Sequence, residues 1–496
     1  MAPFFLRNLI PHREQKQQTN LLTVIGDLTW VQWAQFFVGW LAWTSTAFGF
    51  FSVPLSIEQF EVQFNKSTNQ ITTAITLTLL FRSLGAVIFG IISDRYGRKW
   101  PLVCNLLFIF SLELGAGFIQ TFKQFLILRS LFGVGMGGIW GLAASTALEN
   151  LPIEARGMAS GFLQQGYACG YLFAALVSLL IVPEVKQGWR IMFWTASGLS
   201  FITSFLRSLL PESQHVLRAK EVERYFGVDT SNKTRAFMRN MKEMLKRHWA
   251  LCIYAVLLMA GFNFLSHGSQ DLYPEYLETT KGFTRRDATI ATIWGNVGSL
   301  SGGIFAGILS QRIGRRLTMI LMVLLAGAFI PLWILPSSFI MLSAGAFCIQ
   351  FGIQGAWGVI PIQLAEMSPP AFRVTFSGVA YQLGNIISAA SAQIETVGGQ
   401  HLKTTIYENG QEIIVPDYAK VQGIFIGTVT AFVVFITIIG PEKHGATFEQ
   451  PRSDFEKGGV RGKSSRVPKL IIGLSSEPEA IELEKARVKI IDRSYT

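Results

Sequence analysis

The chain has 496 residues, half of them hydrophobic, with 12% aromatic and only 15% charged side chains, and its mean hydropathy is +0.37. A soluble protein of this length carries charge on about a quarter of its residues, so the repeated apolar runs of roughly 20 residues point to an integral membrane protein. The net charge of +11 does not mark a nucleic-acid binder, because the basic residues gather in a few short loops, as the positive-inside rule describes.

The N-terminal stretch MAPFFLRNLIPHREQKQQTN is polar and basic and lacks a signal peptide's apolar core, so the first membrane helix is expected to act as the targeting signal. Apolar run length predicts twelve spanning helices, at 30–53, 71–92, 100–119, 123–148, 157–182, 189–210, 249–272, 286–310, 317–335, 338–364, 373–395 and 418–440. An even number places both termini on one side. Arg95, Arg98 and Lys99 follow helix 2, Arg312, Arg315 and Arg316 follow helix 8, and the stretch between helices 6 and 7 is rich in Lys and Arg, which identifies that side as cytoplasmic. The expected organisation is a cytoplasmic segment 1–29, a six-helix bundle 30–210, a cytoplasmic linker 211–248, a second six-helix bundle 249–440 and a cytoplasmic tail 441–496, polar and mixed in charge and expected to be disordered. Asn65-Lys66-Ser67 is a glycosylation sequon in the first expected outside loop, whereas Asn232-Lys233-Thr234 falls in the linker and is expected to go unused. Cys104, Cys169, Cys252 and Cys348 lie in apolar runs without metal-ligand spacing and are expected to be inert packing residues.

The two bundles repeat one another at a constant offset. GIISDRYGRK begins at Gly90 and GILSQRIGRR at Gly307, 217 residues later. Gly138 and Gly355, Glu149, Pro152 and Arg156 with Glu366, Pro369 and Arg373, Ser160-Gly161 with Ser377-Gly378, and Gln165 with Gln382 all recur at the same 217. Each half has six helices, so equivalent helices run in the same direction, about an axis along the membrane normal. The expected fold is an all-α membrane protein with twelve transmembrane helices in two parallel six-helix repeats. Gly90 permits close helix approach, and Asp94 can hold an Arg or a helix N-terminus in one conformation and release it in another. The second copy carries Gln311 at that place. Asp94, Arg95, Arg98, Arg312 and Arg315, with the pairs Glu149/Arg156 and Glu366/Arg373, are candidate gating residues; the alternative is a solvated basic loop that only fixes topology. The loop pattern Gly-x-x-x-Asp-Arg-x-Gly-Arg-Lys resembles that of the major facilitator superfamily, and the resemblance covers nearly the whole membrane part.

An ionisable group inside a span costs a few kcal/mol on insertion scales and is a candidate functional residue. Arg82 precedes Gly90 by eight residues, about 12 Å of helix, and offers a carboxylate clamp or one side of a structural ion pair. Arg129 opens RSLFGVGMGG, which resembles the family's helix 4 motif, whose Arg often assists proton coupling. The related carboxylate permeases place acids near positions 46 and 49, where this chain has Thr46 and Gly49. Glu113 on helix 3 and Arg129 on helix 4 lie at similar distances from the turn between them, which predicts a Glu113–Arg129 pair. Gln165 and Gln382 sit at matching mid-helix places, with Tyr167, Tyr381 and Asn385 nearby. Such amides can bond a substrate or serve as helix–helix glue.

Helix 7 carries Asn263, His267 and Asp271 at i, i+4 and i+8, with Ser266 and Gln270 on an adjoining stripe. His267 lies about 27 Å along the helix, towards its outer end. Imidazole titrates near neutrality, and Asp271 one turn on is a partner for its charged form, so the couple could collect an external proton with an anion. Asn263-x-x-Ser266-His267-x-Ser269-Gln270-Asp271 resembles the helix 7 signature of the fungal carboxylate–proton symporters, the lactate/pyruvate permeases grouped with bacterial sialate symporters. The signature usually continues to a Thr where this chain has Glu275. GPEKHGATFE after helix 12 is similar to those permeases too.

The resemblance implies a plasma-membrane protein that imports a short-chain carboxylate such as lactate or pyruvate with protons, by alternating access. On this reading Arg82, Gln165, Gln382, Asn263 and Asn385 bind substrate, and His267, Asp271, Glu113 and Arg129 couple protons. The expected partners are a small carboxylate, protons and membrane lipid, with no nucleic acid; no cofactor or metal is expected, and the chain is expected to be monomeric. The alternatives are a transporter of the same fold for a dicarboxylate, sialate or sugar, and a non-transporting nutrient receptor. No nucleotide loop, metal cluster or nucleophile constellation suggests an enzyme.

Overall fold

Spanning helices begin where a hydroxyl can cap them. Thr29 accepts the Gln32 N–H while the Gln32 side chain accepts the Thr29 N–H at 2.9 Å, and Thr121 and Gln124 repeat this box three long helices later. Thr284, Ser338 and Asp417 cap three further helices in the same way. The computed structural model describes residues 21–213, 216–217, 233–369, 372–408 and 411–444. Among them are twelve long helical segments: α1 (Trp30–Phe51), α2 (Thr68–Tyr96), α3 (Lys99–Ala116), α4 (Phe122–Leu148), α5 (Ile153–Gln164 and Gly166–Leu180), α6 (Arg190–Leu209), α7 (Trp249–Gln270), α8 (Arg285–Ile313), α9 (Arg315–Ala328), α10 (Phe339–Met367), α11 (Arg373–Ser388) and α12 (Tyr418–Ile439). They coincide with the twelve expected spans to within a few residues, except that α9 and α11 end seven residues before the expected 335 and 395. Asn232 and nearly all of the expected tail lie outside the described residues.

Eight of these segments are long and apolar enough to cross a membrane on length and composition alone. The other four are α6, α8, α9 and α11, which are amphipathic, glycine-rich or interrupted. Leu80, Leu84, Phe201 and Phe205 are exposed on the helix surfaces, as a lipid-facing belt requires. Cys104 is exposed on α3 rather than packed, contrary to expectation.

The internal repeat is also a repeat of packing. A methyl at Gly85 of α2 would run into the Val134 carbonyl of α4, and one at Gly302 of α8 would run into the Phe351 carbonyl of α10. Both residues of that contact recur at the offset of 217. The closest helix crossing of each half is thus set by the same glycine.

Several pieces depart from simple spans. A short helix, Ile57–Phe64, follows α1 and ends at Asn65 in the left-handed region. Lys233–Arg247 of the linker is an amphipathic helix. A π-turn, Tyr276–Thr280, extends the end of α7, Pro331 lies in a short helix, Ile330–Ile334, that follows α9, and a second piece, Ser391–His401, continues α11. Strands β1 (Lys403–Glu408) and β2 (Gln411–Pro416) pair antiparallel. The hairpin has a sequence cause, β-branched runs on either side of Asn409-Gly410, hidden by the expectation of a plain loop between spans.

Candidate functional site

At the end where the basic loops lie, the two halves are stitched together. The Asp94 carboxylate accepts the backbone N–H groups of Val374 at 3.2 Å and Thr375 at 2.8 Å. An acid of α2 therefore caps the N-terminus of α11 in the other half, where backbone donors and the helix dipole favour an anion. Gly90 makes this approach possible, since a side chain there would collide with Thr375. At the equivalent place in the second repeat, Gln311 donates to the Ile153 carbonyl at 2.8 Å.

Arg98 holds this arrangement from behind, with Asp94 at 3.1 Å and Glu149 at 3.1 Å. Burial alone would lower its guanidinium, but Glu149 and Asp94 together raise it above its ordinary value. Arg315 pairs with Glu366 at 3.1 Å in the second repeat. The expected pairing of Glu149 with Arg156 and of Glu366 with Arg373 needs correction. Arg373 crosses to Glu149 of the other half at 3.5 Å, and Glu366 acts on Arg156 more strongly than Glu149 does. The repeats exchange partners because both loops meet at the seam between the halves. Arg312 is exposed and Arg95 lies over the Tyr96 ring; among the described residues neither enters the network.

Sequence reasoning missed three parts of this region. Glu212 accepts the Arg98 and Lys99 N–H groups at the start of α3, and Glu442 accepts those of Arg315 and Arg316 at the start of α9. Burial pushes the Glu442 carboxyl up from its ordinary value, and those two N–H groups pull it back. The signal was a repeated Pro-Glu, 211–212 and 441–442, shifted off the common offset by the hairpin before α12. The third part is Ser160. Its hydroxyl donates to Gly358 O at 2.7 Å and accepts the Ile362 N–H at 3.1 Å. It sits within the backbone ladder of α10 beside Pro361, where the helix is already interrupted.

Deeper in the molecule, Arg82 is 2% exposed. Its Nε and Nη2 have no hydrogen-bond partner among the described residues. Phe50 lies 5.5 Å from the guanidinium, and the phenols of Tyr167 and Tyr381 lie within its field. Trp43 stacks on Tyr167 at 5.3 Å, and Trp140 and Trp357 pack on Tyr381 at 4.8 and 5.7 Å. Gln165 and Gln382 are buried, and neither Gln382 amide atom has a partner among the described residues. Gln165 marks the interruption of α5 and lies against Gly303 of α8.

Glu113 and Arg129 meet at 3.2 Å, both buried. Arg129 also donates to Gly49 O at 3.3 Å and rests on Phe132. A side chain at Gly49 would strike the Glu113 carboxylate, so the acid from α3 fills the space beside α1. On α7, His267 Nδ1 lies 3.0 Å from Asp271 and Nε2 lies 3.1 Å from the Asn385 side-chain oxygen. The adjoining stripe faces elsewhere. Ser266 bonds Gln354, and Ser269 and Gln270 bond Gln350, all on α10. Asn263 turns its amide back to Met259 O at 2.8 Å and does not join the His267 chain. Glu275 is exposed.

Twelve long helices among the described residues, in two like halves joined at one end through capping and ion-pair contacts and carrying buried polar groups, define a multi-pass membrane transporter. The Major Facilitator Superfamily model matches residues 35–392, and the chain belongs to that family. It is 34% identical over 452 residues to a carboxylic acid transporter protein homolog of Saccharomyces cerevisiae, covering 89% of this chain and 73% of the relative. It is 27% identical over 383 residues to a cis,cis-muconate transport protein of Acinetobacter baylyi (75% and 88%) and 26% identical over 355 residues to a sialic acid transporter of Escherichia coli (70% and 82%). Its fold is similar to that of the proton:xylose symporter XylE, with a TM-score of 0.66 at 19% identity over 86% of this chain and 98% of the other.

Proposed function

We propose that this protein imports a short-chain carboxylate, of the lactate or pyruvate kind, together with protons by alternating access at the plasma membrane. The observation that carries this reading is the buried Arg82 guanidinium, two of whose nitrogens have no hydrogen-bond partner among the described residues. A desolvated cation with free donors binds a carboxylate through charge-assisted hydrogen bonds. Gln165, Gln382 and Asn385 supply neutral groups for the rest of the solute, and Asn263, whose amide bonds back to Met259 O, supports its own helix α7. Glu113–Arg129 and His267–Asp271 are the proton-coupling groups. The stitched end is cytoplasmic, both termini lie there, the chain works as a monomer, and this conformation faces outward.

The test is uptake of labelled lactate and pyruvate in permease-deficient cells, in acidic and mildly alkaline medium. Wild type is expected to take up more as the medium becomes acidic. Arg82→Ala should abolish uptake, and His267→Ala should flatten its pH dependence. Absence of acid-stimulated uptake in the wild type overturns the reading. A second reading is a larger planar acid, favoured by the aromatic shell of Trp43, Trp140, Trp357, Tyr167 and Tyr381 and by the muconate relative. Stronger competition by muconate or benzoate than by unlabelled lactate would establish it.

A further inference from the structure

Glu395 lies on Ser391–His401, the continuation of α11, and is fully buried. One oxygen, Oε2, accepts from the neutral Gln422 amide of α12 at 3.4 Å. The other, Oε1, has no hydrogen-bond partner among the described residues. A methyl at Gly268 would come within 3.0 Å of Oε1, so this carboxyl lies against the α7 backbone one residue beyond His267. The titratable groups of α7 that act on it are Asp271 and His267. From α12 the titratable neighbour is Tyr418, and β2 brings Glu412, which is exposed.

We propose that Glu395 is a second proton-binding site, behind the His267–Asp271 couple and electrostatically tied to it. The inference rests on the reading of the chain as a proton-coupled transporter. A desolvated carboxylate with no cation beside it is costly, so Glu395 holds its proton while His267 is neutral. A proton reaching His267 from the accessible side makes an imidazolium. That imidazolium is the counter-charge Glu395 lacks. The Glu395 O–H bond can then break, its proton passing to water admitted as the halves rearrange, and the carboxylate left behind is balanced by the imidazolium. Arrival of a proton at His267 and departure of one from Glu395 are thereby linked. Gln422 orients the carboxyl without charge, so it does not hold the group ionised.

The experiment uses the full-length protein in liposomes with an imposed proton gradient, alongside infrared titration of the carboxyl C=O band. Glu395→Gln is expected to lower gradient-driven accumulation of lactate at least about tenfold more than it lowers lactate exchange, within the usual range of coupling energies. The same change should remove a protonated-carboxyl band that wild type shows near neutral pH. Accumulation and exchange falling in equal measure, or a band that survives in Glu395→Gln, overturns the proposal. Should the wild type accumulate no carboxylate, the transport reading fails by itself, while the infrared band still reports on Glu395. Where Glu395→Gln does not fold, Gln422→Leu is expected to shift the pH at which the band titrates; an unmoved band is equally fatal.

Discussion

The two repeats use equivalent positions to close the same seam, but with different chemistry. Asp94 captures two backbone N–H groups at the start of α11. Gln311, its counterpart, gives an amide hydrogen bond to the Ile153 carbonyl. Behind them, among the described residues, Arg98 pairs with two acids, Asp94 and Glu149, whereas Arg315 pairs with one, Glu366. A carboxylate is retained where it meets helix-terminal donors and a buried cation, and a neutral amide suffices where it meets an acceptor. The seam thus has one charged stitch and one neutral one, and the charged one should dominate the equilibrium between closed and open.

The largest test of this asymmetry is removal of the cations. Breaking a buried ion pair by deleting one partner costs ~3–5 kcal/mol. Arg98→Ala strips a counter-charge from both Asp94 and Glu149, leaving Arg373 to serve the two acids together. Arg315→Ala strips one counter-charge from the single acid Glu366, which keeps Arg156 nearby. Thermal unfolding of the purified protein in detergent should therefore show a larger loss for Arg98→Ala than for Arg315→Ala. Equal losses would mean that the two networks bear the same load and that the difference at 94 and 311 is incidental.

The intermediate test is the stitch itself. A hydrogen bond to a charged group is worth about 1.5–3 kcal/mol, enough to change the open population many-fold. Asp94→Asn should raise the labelling rate of a cysteine placed at the buried Thr146 in a chain freed of Cys104, Cys169, Cys252 and Cys348, and Gln311→Ala should raise it less. Gln311→Asp should not create a second latch, because a carbonyl faces position 311 and a carboxylate there would be repelled. Tighter closure by Gln311→Asp would refute the account of why the two copies differ.

Much of this was legible in the sequence, for identifiable reasons. Helix positions follow from apolar run length, and the repeat from a constant offset. The meeting of Glu113 with Arg129 follows from their equal distance to one turn. Asp94 at a helix N-terminus follows from an acid among basic residues with a glycine one turn before it. What stayed hidden is tertiary. Spacing along one repeat suggested Glu149 with Arg156, but the cross-over to Arg373 needs the seam in three dimensions. Glu395 stands at the last position of the expected span 373–395, where nothing in the sequence shows its burial; the continuation to His401 buries it. Ser266, Ser269 and Gln270 belong to the same polar run as His267, yet their orientation towards α10 depends on which helix packs behind α7.

The smallest expected effect compares Ser160 with its repeat partner Ser377. The Ser160 hydroxyl bridges Gly358 O and the Ile362 N–H across the seam, whereas the Ser377 hydroxyl has no hydrogen-bond partner among the described residues. Leaving a buried donor and acceptor unmatched costs ~1–3 kcal/mol. Ser160→Ala should fall at the lower end, because the Ile362 N–H can turn back to the Gly358 carbonyl one helical turn away. Ser377→Ala removes no bond and should stay within ~0.5 kcal/mol of wild type. Paired melting curves, with cysteine labelling at position 146, separate the two. If both serines prove equally dispensable, the α10 interruption at Pro361 is held by its own helix rather than by α5, and closure rests on the Asp94 stitch alone.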